Sequence, residues 1–307
     1  MFNPFQPLQM IKTEVFMTMP AKFRKKSRSA WSDPNRQGAE VECFLEGPSF
    51  DREGNLWFVD IPFGRIFRIT PKKDWELVTQ YDGWPNGLKI HKDGRIFICD
   101  YKEGLLVLDP KTGKLETVLR TAFSEGFKGL NDLHFAANGD LYFTDQGLTG
   151  LHDPTGRVFR VRADGQVSCL LANIPSPNGL VMNRDETILY VAVTRGNCIW
   201  RLPFTRSGDV VKVGLFIQMS GGGGPDGLAL DEQGRLAIAH VGMGNVWIFD
   251  AHGEPVYRVK SCAGMATTNV AFGGPDNKTL YITESESASI LKAELDVPGK
   301  TMYSHRP

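Results

Sequence analysis

Short, mainly apolar runs, separated by turn residues, recur along the whole chain. Residues 56–60 (LWFVD) and 65–69 (RIFRI) are typical, and the first of these runs follows the turn residue Gly54. Short runs rich in β-branched and aromatic residues between glycine-containing turns predict β-strands joined by hairpins. Sustained helical periodicity appears nowhere in the sequence, so the pattern predicts an all-β protein.

The strand pattern itself repeats at intervals of 40 to 48 residues. Each repeat begins with an oxygen-bearing side chain, called here its opening residue, and the six are Glu46, Asn86, Asn131, Asn178, Asp226 and Asn269. A repeat of this length that holds several short strands is typical of a propeller blade. We therefore predict a single domain over residues 1–307, a six-bladed β-propeller whose four-stranded antiparallel blades occupy residues 43–295.

The two ends of the chain are expected to close this ring. The last repeat supplies three strands and then reaches Pro298 and Gly299, whereas residues 11–20 form one isolated strand pattern that stops at Pro20. Pairing that strand with the last repeat would complete the sixth blade and leave no sheet edge unpaired. Residues 21–42 then form an insertion with a basic run and Trp31, and two interpretations stay open, a solvated loop or a lid over the site that follows.

Composition and net charge indicate which kinds of binding partner are expected for this protein. Lys and Arg number 35 and Asp and Glu number 35, so net charge gives no overall attraction to nucleic acid or to an anionic membrane. The five dispersed cysteines include no Cys-x-x-Cys pair and indicate reduced thiols. The first residues lack the apolar core of a signal peptide, and no stretch reaches the ~20 apolar residues that span a bilayer. We expect a cytoplasmic protein that acts on a small molecule.

The opening residues are candidate metal ligands. Equivalent positions of radially arranged blades face the central axis, so these six side chains should form a ring at one mouth of the channel. Carboxylate and amide oxygens are the ligands that calcium prefers, with Mg²⁺, Mn²⁺ and Zn²⁺ as alternatives. A single Asn or Asp before glycine is more often only a turn residue. Glu46 is the exception, because glutamate has little turn preference.

Four motifs make the chain resemble a known family; they are Glu46-Gly47-Pro48, Asn131-Asp132, Ser176-Pro177-Asn178-Gly179-Leu180 and Pro225-Asp226-Gly227-Leu228. Together they resemble the gluconolactonase, regucalcin and luciferin-regenerating-enzyme family of six-bladed propellers, from Glu46 to about Ala293. The resemblance implies a catalytic divalent metal, usually calcium, held by residues matching Glu46, Asn178 and Asp226, with Asn131 as a further ligand or substrate contact. It also implies that Asp132 acts as general base or nucleophile.

The expected reaction is hydrolysis of a small lactone or other ester. The metal would polarise the carbonyl group, and Asp132 would deprotonate or hold the attacking water. Expected substrate contacts are the opening residues Asn86 and Asn269, with Arg65, Trp84 and Phe127 at the pocket. Arg65 has a second interpretation as a residue of the blade surface. The substrate stays open between a sugar lactone and a more apolar lactone or ester, because the segment 123–130 is aromatic.

Two other functions stay open at this point. One is a non-catalytic propeller that binds a ligand or a protein partner through the same face, since propellers serve as scaffolds as readily as enzymes. The other is a phosphotriesterase, isomerase or lyase of the same family. A scaffold, however, has no need for acids and amides converging on one axis.

Overall fold

A computed structural model describes residues 8–306 of the chain. Six sheets, each built on four antiparallel strands, are arranged as a six-bladed β-propeller, which confirms the fold predicted from the repeat. The predicted hairpin turns are also present, because Gly94 and Gly139 both adopt the left-handed conformation, with φ of 91° and 89°. Glycine reaches that region without the steric cost that other residues carry.

The strands of each blade are given from the channel outward. Blades 1 and 2 contain Leu45–Phe50, Leu56–Asp60, Arg65–Ile69 and Trp75–Gln80, then Pro85–Ile90, Ile96–Asp100, Gly104–Leu108 and Leu115–Leu119. Blades 3 and 4 contain Leu130–Phe135, Leu141–Asp145, Gly156–Val161 and Val167–Ile174, then Pro177–Met182, Ile188–Val193, Cys198–Pro203 and Gly214–Gln218. Blades 5 and 6 contain Gly224–Leu230, Leu236–Val241, Asn245–Phe249 and Pro255–Lys260, then Thr267–Gly273, Thr279–Glu284, Ser289–Glu294 and Glu14–Thr18. The first strand of each blade is its inner strand.

The N-terminal segment closes the ring as predicted. Glu14–Thr18 pairs antiparallel with Ser289–Glu294 and is the outer strand of blade 6. The expected single strand is in fact two, since Gln9–Lys12 runs parallel to Pro255–Lys260 and adds a fifth strand to blade 5. One segment thus joins the last two blades and covers the edges of both sheets.

Short helices and a two-residue hairpin complete the described elements. These are the helix Ser32–Arg36, the 3₁₀ turns Ala21–Phe23, Ile61–Phe63, Thr194–Gly196 and Tyr303–His305, and the hairpin strands Thr121–Ala122 and Glu125–Gly126. No helix within residues 8–306 has the length and apolar character needed to cross a bilayer.

Apolar side chains fill the spaces between strands and between neighbouring blades. Between blades 1 and 6, Phe58 packs edge-on against Trp75 with ring centroids 4.9 Å apart, and the same cluster includes Tyr281 and Ile290. Burying an aromatic side chain of this kind contributes about 1.5–3 kcal/mol. The packed blades hold the inner strands, and therefore the channel wall, in fixed positions.

Candidate active site

An irregularity in strand pairing lies near the start of each inner strand. In blade 3, Leu130 pairs with Asp145, but the next paired residue is Leu133, so Asn131 and Asp132 fall in the interruption. Blades 1, 2, 4 and 5 have the same interruption, bounded by Glu46 and Ser49, Pro85 and Leu88, Pro177 and Leu180, and Pro225 and Leu228. A bulge of this kind turns side chains away from the regular alternation. The opening residues of these five blades all line one cleft at the front mouth of the channel.

Blade 6 is out of register with this pattern. In blade 3, Leu130 stands just before the opening residue and pairs with Asp145 on the second strand. In blade 6, Thr267 pairs with Glu284 in the same way, so Thr268 takes the opening position. Asn269 therefore corresponds to Asp132, one residue further along. The expectation that Asn269 is the sixth member of the ring is wrong by one residue.

The hydrogen bonds of Asp132 and Asn269 agree with their equivalence. In both, the side-chain Oδ1 atom accepts the main-chain N–H of the next residue, Leu133 or Val270, at 2.8 Å. The other four blades have glycine at this position, namely Gly47, Gly87, Gly179 and Gly227. Asp132 and Asn269 are thus the two side chains that this layer of the channel contains.

The acids of the channel lie close together. The Asn269 amide nitrogen donates to Glu46 Oε2 at 2.7 Å and to Asp132 Oδ2 at 3.2 Å. Asn178 lies beside the third acid, Asp226, in the same cleft. Glu46 and Asp132 are each only 2% exposed. The amide of Asn269 in blade 6 therefore bridges two buried carboxylates, one from blade 1 and one from blade 3.

Burial and mutual repulsion alter the acidity of this cluster. Burial raises the pKa of Glu46 well above its usual range, and the charges of Asp226 and Asp132 raise it further. Burial, and then the charge of Asp132, raise the pKa of Asp226 to about 7. Carboxylates in this situation ionise readily only when a positive charge approaches them.

The side chain of Asn131 gives an independent indication of the kind of ligand that suits this site. Its amide nitrogen donates to Gln146 Oε1 at 2.8 Å, which fixes the side chain. The other amide atom, Oδ1, is buried and has no hydrogen-bond partner. A buried amide oxygen without a partner costs free energy, so an electropositive ligand is expected for it. Oxygen atoms of this kind beside carboxylates suit Ca²⁺ or another hard cation.

The amide oxygens are essential to any such site. Within residues 8–306, no cluster of three or more His, Cys, Asp and Glu side chains forms a metal-binding group. A cation at the front mouth would therefore depend on Asn131 and Asn178 as well as on Glu46 and Asp226. This mixed donor set fits a divalent metal that prefers oxygen.

The cleft in front of these residues has a volume of about 770 Å³. Part of its wall comes from the insertion, through Trp31 and Arg36, and part from Phe44, Tyr101 and Arg195. Trp31 is buried and packs against Phe44 at 4.8 Å between ring centroids. The Tyr101 and Arg195 contributions had no signal in the repeat, because both lie in loops between strands.

Three side chains expected at the pocket lie elsewhere among the described residues. The Arg65 guanidinium is buried against the Asp60 carboxylate and donates to Phe23 O at 2.8 Å, so it is neither a substrate contact nor a residue of the blade surface. Phe127 packs into the core of blade 3. Trp84 lies behind Tyr101, with ring centroids 5.3 Å apart.

The fold and this oxygen-rich channel mouth define a class, six-bladed propellers with a candidate metal site on the axis. The protein-family model of the SMP-30/gluconolactonase/LRE-like region matches residues 44–286 of the chain. The chain belongs to this family, as the motifs of the sequence indicated.

Individual relatives agree with the family assignment. Lactonase drp35 of Staphylococcus aureus (strain MW2) is 30% identical over 241 residues, which cover 75% of this chain and 72% of the relative. Among solved structures, the calcium-binding protein regucalcin of Agrobacterium tumefaciens has a TM-score of 0.77 at 23% identity and covers 97% of this chain and 99% of its own. A gluconolactonase of Xanthomonas campestris has a TM-score of 0.74 at 20% identity, with 96% and 99% covered. The two structures show the fold, and the relatives named lactonase support a lactonase-type hydrolase function.

Proposed function

We propose that the protein is a divalent-metal-dependent lactonase, with calcium as the metal, that opens a small lactone with water. The observation that carries the proposal is the buried group of Glu46, Asp132 and Asp226 beside the unpartnered Oδ1 atom of Asn131. Glu46, Asn178, Asp226 and Asn131 would hold the cation. When bound, the cation supplies Lewis-acid polarisation of the ester carbonyl and charge stabilisation of the oxyanion.

Asp132 is proposed as the group that handles water. Its Oδ1 atom is held by Leu133 N–H and its Oδ2 atom by the Asn269 amide, so the carboxylate is fixed in orientation. The longer contact, 3.2 Å to Asn269, leaves Oδ2 able to accept a proton from an attacking water. A carboxylate fixed from two sides loses little entropy when it does so.

The walls of the cleft are proposed to select the substrate. Trp31, Phe44 and Tyr101 supply aromatic surface, and Asn86 supplies an amide at the floor. This mixture favours a lactone with an apolar part over a fully hydroxylated sugar ring. The lid, one of the two interpretations of residues 21–42, stays a prediction, and it is supported by the position of insertion residues in the cleft wall.

Two substitutions separate the proposed roles. Asp226→Asn removes a charge from the ligand set, so calcium affinity should fall by about tenfold or more, and activity should fall with it. Asp132→Asn keeps the shape and the ligand set, so calcium binding should persist while kcat falls about 10²–10⁴-fold. Calorimetric calcium titration and lactone hydrolysis measured on both variants test this. Full activity in both variants would overturn the site assignment.

A further inference from the structure

A second cavity, called here the rear cavity, lies in the same channel at the other end of the inner strands. All six inner strands contribute to it, through Ser49, Lys89, His134, Val181, Leu228 and Val270. Its volume is about 40 Å³, and residues 300–303 of the C-terminal segment also line it. At about 10–15 Å³ for each water-sized group, it has space for about three such groups.

The C-terminal segment lies across this end of the channel. Gly299 bridges to Asp231 of blade 5, and Tyr303 stacks on Phe135 of blade 3 with ring centroids 5.3 Å apart. Beyond it, Arg52 of blade 1 donates to the Ser304 carbonyl oxygen at 2.6 Å. The segment therefore crosses the rear face and forms part of the wall of the rear cavity.

One side of the rear cavity is polar. Ser49, Lys89 and His134 each lie three residues after the opening residue of their blade, on three consecutive inner strands. The Ser49 hydroxyl oxygen and His134 Nε2 are buried and have no hydrogen-bond partner. The blades opposite contribute apolar side chains, including Val181 and Val270.

The charge on this polar side is positive. Lys89 is only 6% exposed, and within residues 8–306 its ammonium group makes no ion pair and no hydrogen bond. The other lysine at the cavity, Lys300, is neutralised by Glu186 at 3.0 Å. Burial lowers the pKa of His134 well below its usual value, and the charges of Lys300 and Lys89 lower it further. The Lys89 ammonium group therefore lies at the cavity without a counter-charge among the described residues, and a bound anion would stabilise it.

We propose that the rear cavity binds one small monovalent anion of the size of chloride, held by the Lys89 ammonium, the Ser49 hydroxyl and the His134 Nε2–H. All three groups line this one cavity, and the Ser49 hydroxyl oxygen and His134 Nε2 have no other hydrogen-bond partner. The small volume of about 40 Å³ favours a small anion over a phosphate ester or a sugar acid. This site is separate from the proposed lactonase site and stands or fails independently of it.

Bromide is the probe that tests the proposal. Crystals of the full chain soaked in sodium bromide should show an anomalous peak between Lys89, Ser49 and His134. Lys89→Met keeps the length of the side chain but removes its charge, and should weaken binding about 10- to 100-fold. Lys72→Met, at an exposed lysine, is the matched control and should keep the peak.

Solution stability provides the second readout. Replacing isethionate by chloride at constant ionic strength should raise the Tm of the wild-type chain and of Lys72→Met by about 2–4 °C, and leave Lys89→Met unchanged. Two results would overturn the proposal. One is that crystals soaked at high bromide hold only water in the rear cavity, and the other is that chloride raises the Tm of all three proteins equally.

Discussion

At the scale of single residues, two glycines make room for Asp132 and Asn269 in the channel. A Cβ atom on Gly87 would overlap Asp132 of the next blade, and one on Gly227 would overlap Asn269. Neither glycine has a positive φ, so the requirement is space and not backbone conformation. Glycine at this position of one blade thus permits an acid or amide in its neighbour.

This arrangement predicts the effect of Gly87→Ala. The added methyl group should displace the Asp132 carboxylate, lower kcat at least about tenfold and destabilise the fold by about 1–3 kcal/mol. Gly126→Ala is the control, because a Cβ atom there would meet nothing within 4 Å and the φ is not positive. Hydrolysis kinetics and urea unfolding check the result. Unchanged kcat in Gly87→Ala would argue against a catalytic role for Asp132.

Five opening residues could be identified from the sequence because each stands at a constant place before a hairpin. The assignment of the sixth opening residue failed because Thr268 and Asn269 are both polar. Only the strand pairing of Thr267 shows that Thr268, and not Asn269, occupies the opening position of blade 6. The roles of Gly87 and Gly227 were also hidden, since the clash they avoid involves a residue about 40 positions away in the sequence.

At the scale of elements, the insertion is tied to blade 1 by a buried ion pair. Arg65 binds Asp60, the residue opposite it on the neighbouring strand, and also donates to Phe23 O in the insertion. Asp145 and Arg157 face each other in the same way in blade 3 and also form an ion pair. This recurrence of Asp at the end of one strand and Arg at the start of the next is a signal in the sequence that would have placed Arg65 outside the pocket.

Arg65→Met is expected to weaken both the fold and the cleft wall. It leaves the fully buried Asp60 carboxylate without its partner, which should cost about 3–5 kcal/mol. It also frees the insertion, so KM for the lactone should rise more than kcat falls. Arg68→Met, at a partly exposed ion pair with Glu76, should cost about 1 kcal/mol or less.

Adding Asp60→Asn to Arg65→Met separates the two effects. The neutral amide should recover much of the lost free energy of unfolding, because it no longer buries an uncompensated charge. KM should stay raised, since the contact to the insertion is still missing. Recovery of KM together with stability would mean that the insertion does not shape the cleft through Arg65.

At the scale of the whole molecule, the chain encloses one channel with two different ends. The front mouth gathers carboxylates and amide oxygens, whereas the rear cavity presents donors and a positive charge. Strand patterns and repeat spacing were sufficient to predict the ring and its closure, because both depend on local turns and on edge pairing. The covering of the rear face depends on contacts such as Arg52 with Ser304, which leave no periodic signal.

The central claim is that a divalent cation at Glu46, Asn178, Asp226 and Asn131 is needed for lactone hydrolysis. The most direct measurement is the initial rate on a panel of lactones, using full-length protein treated with EDTA, before and after readdition of Ca²⁺, Mg²⁺, Mn²⁺ or Zn²⁺. We predict that EDTA removes the activity, that Ca²⁺ restores it, and that Asp226→Asn responds only at higher Ca²⁺ concentrations. An undiminished rate in EDTA, or no hydrolysis of any lactone with any of the metals, would contradict it.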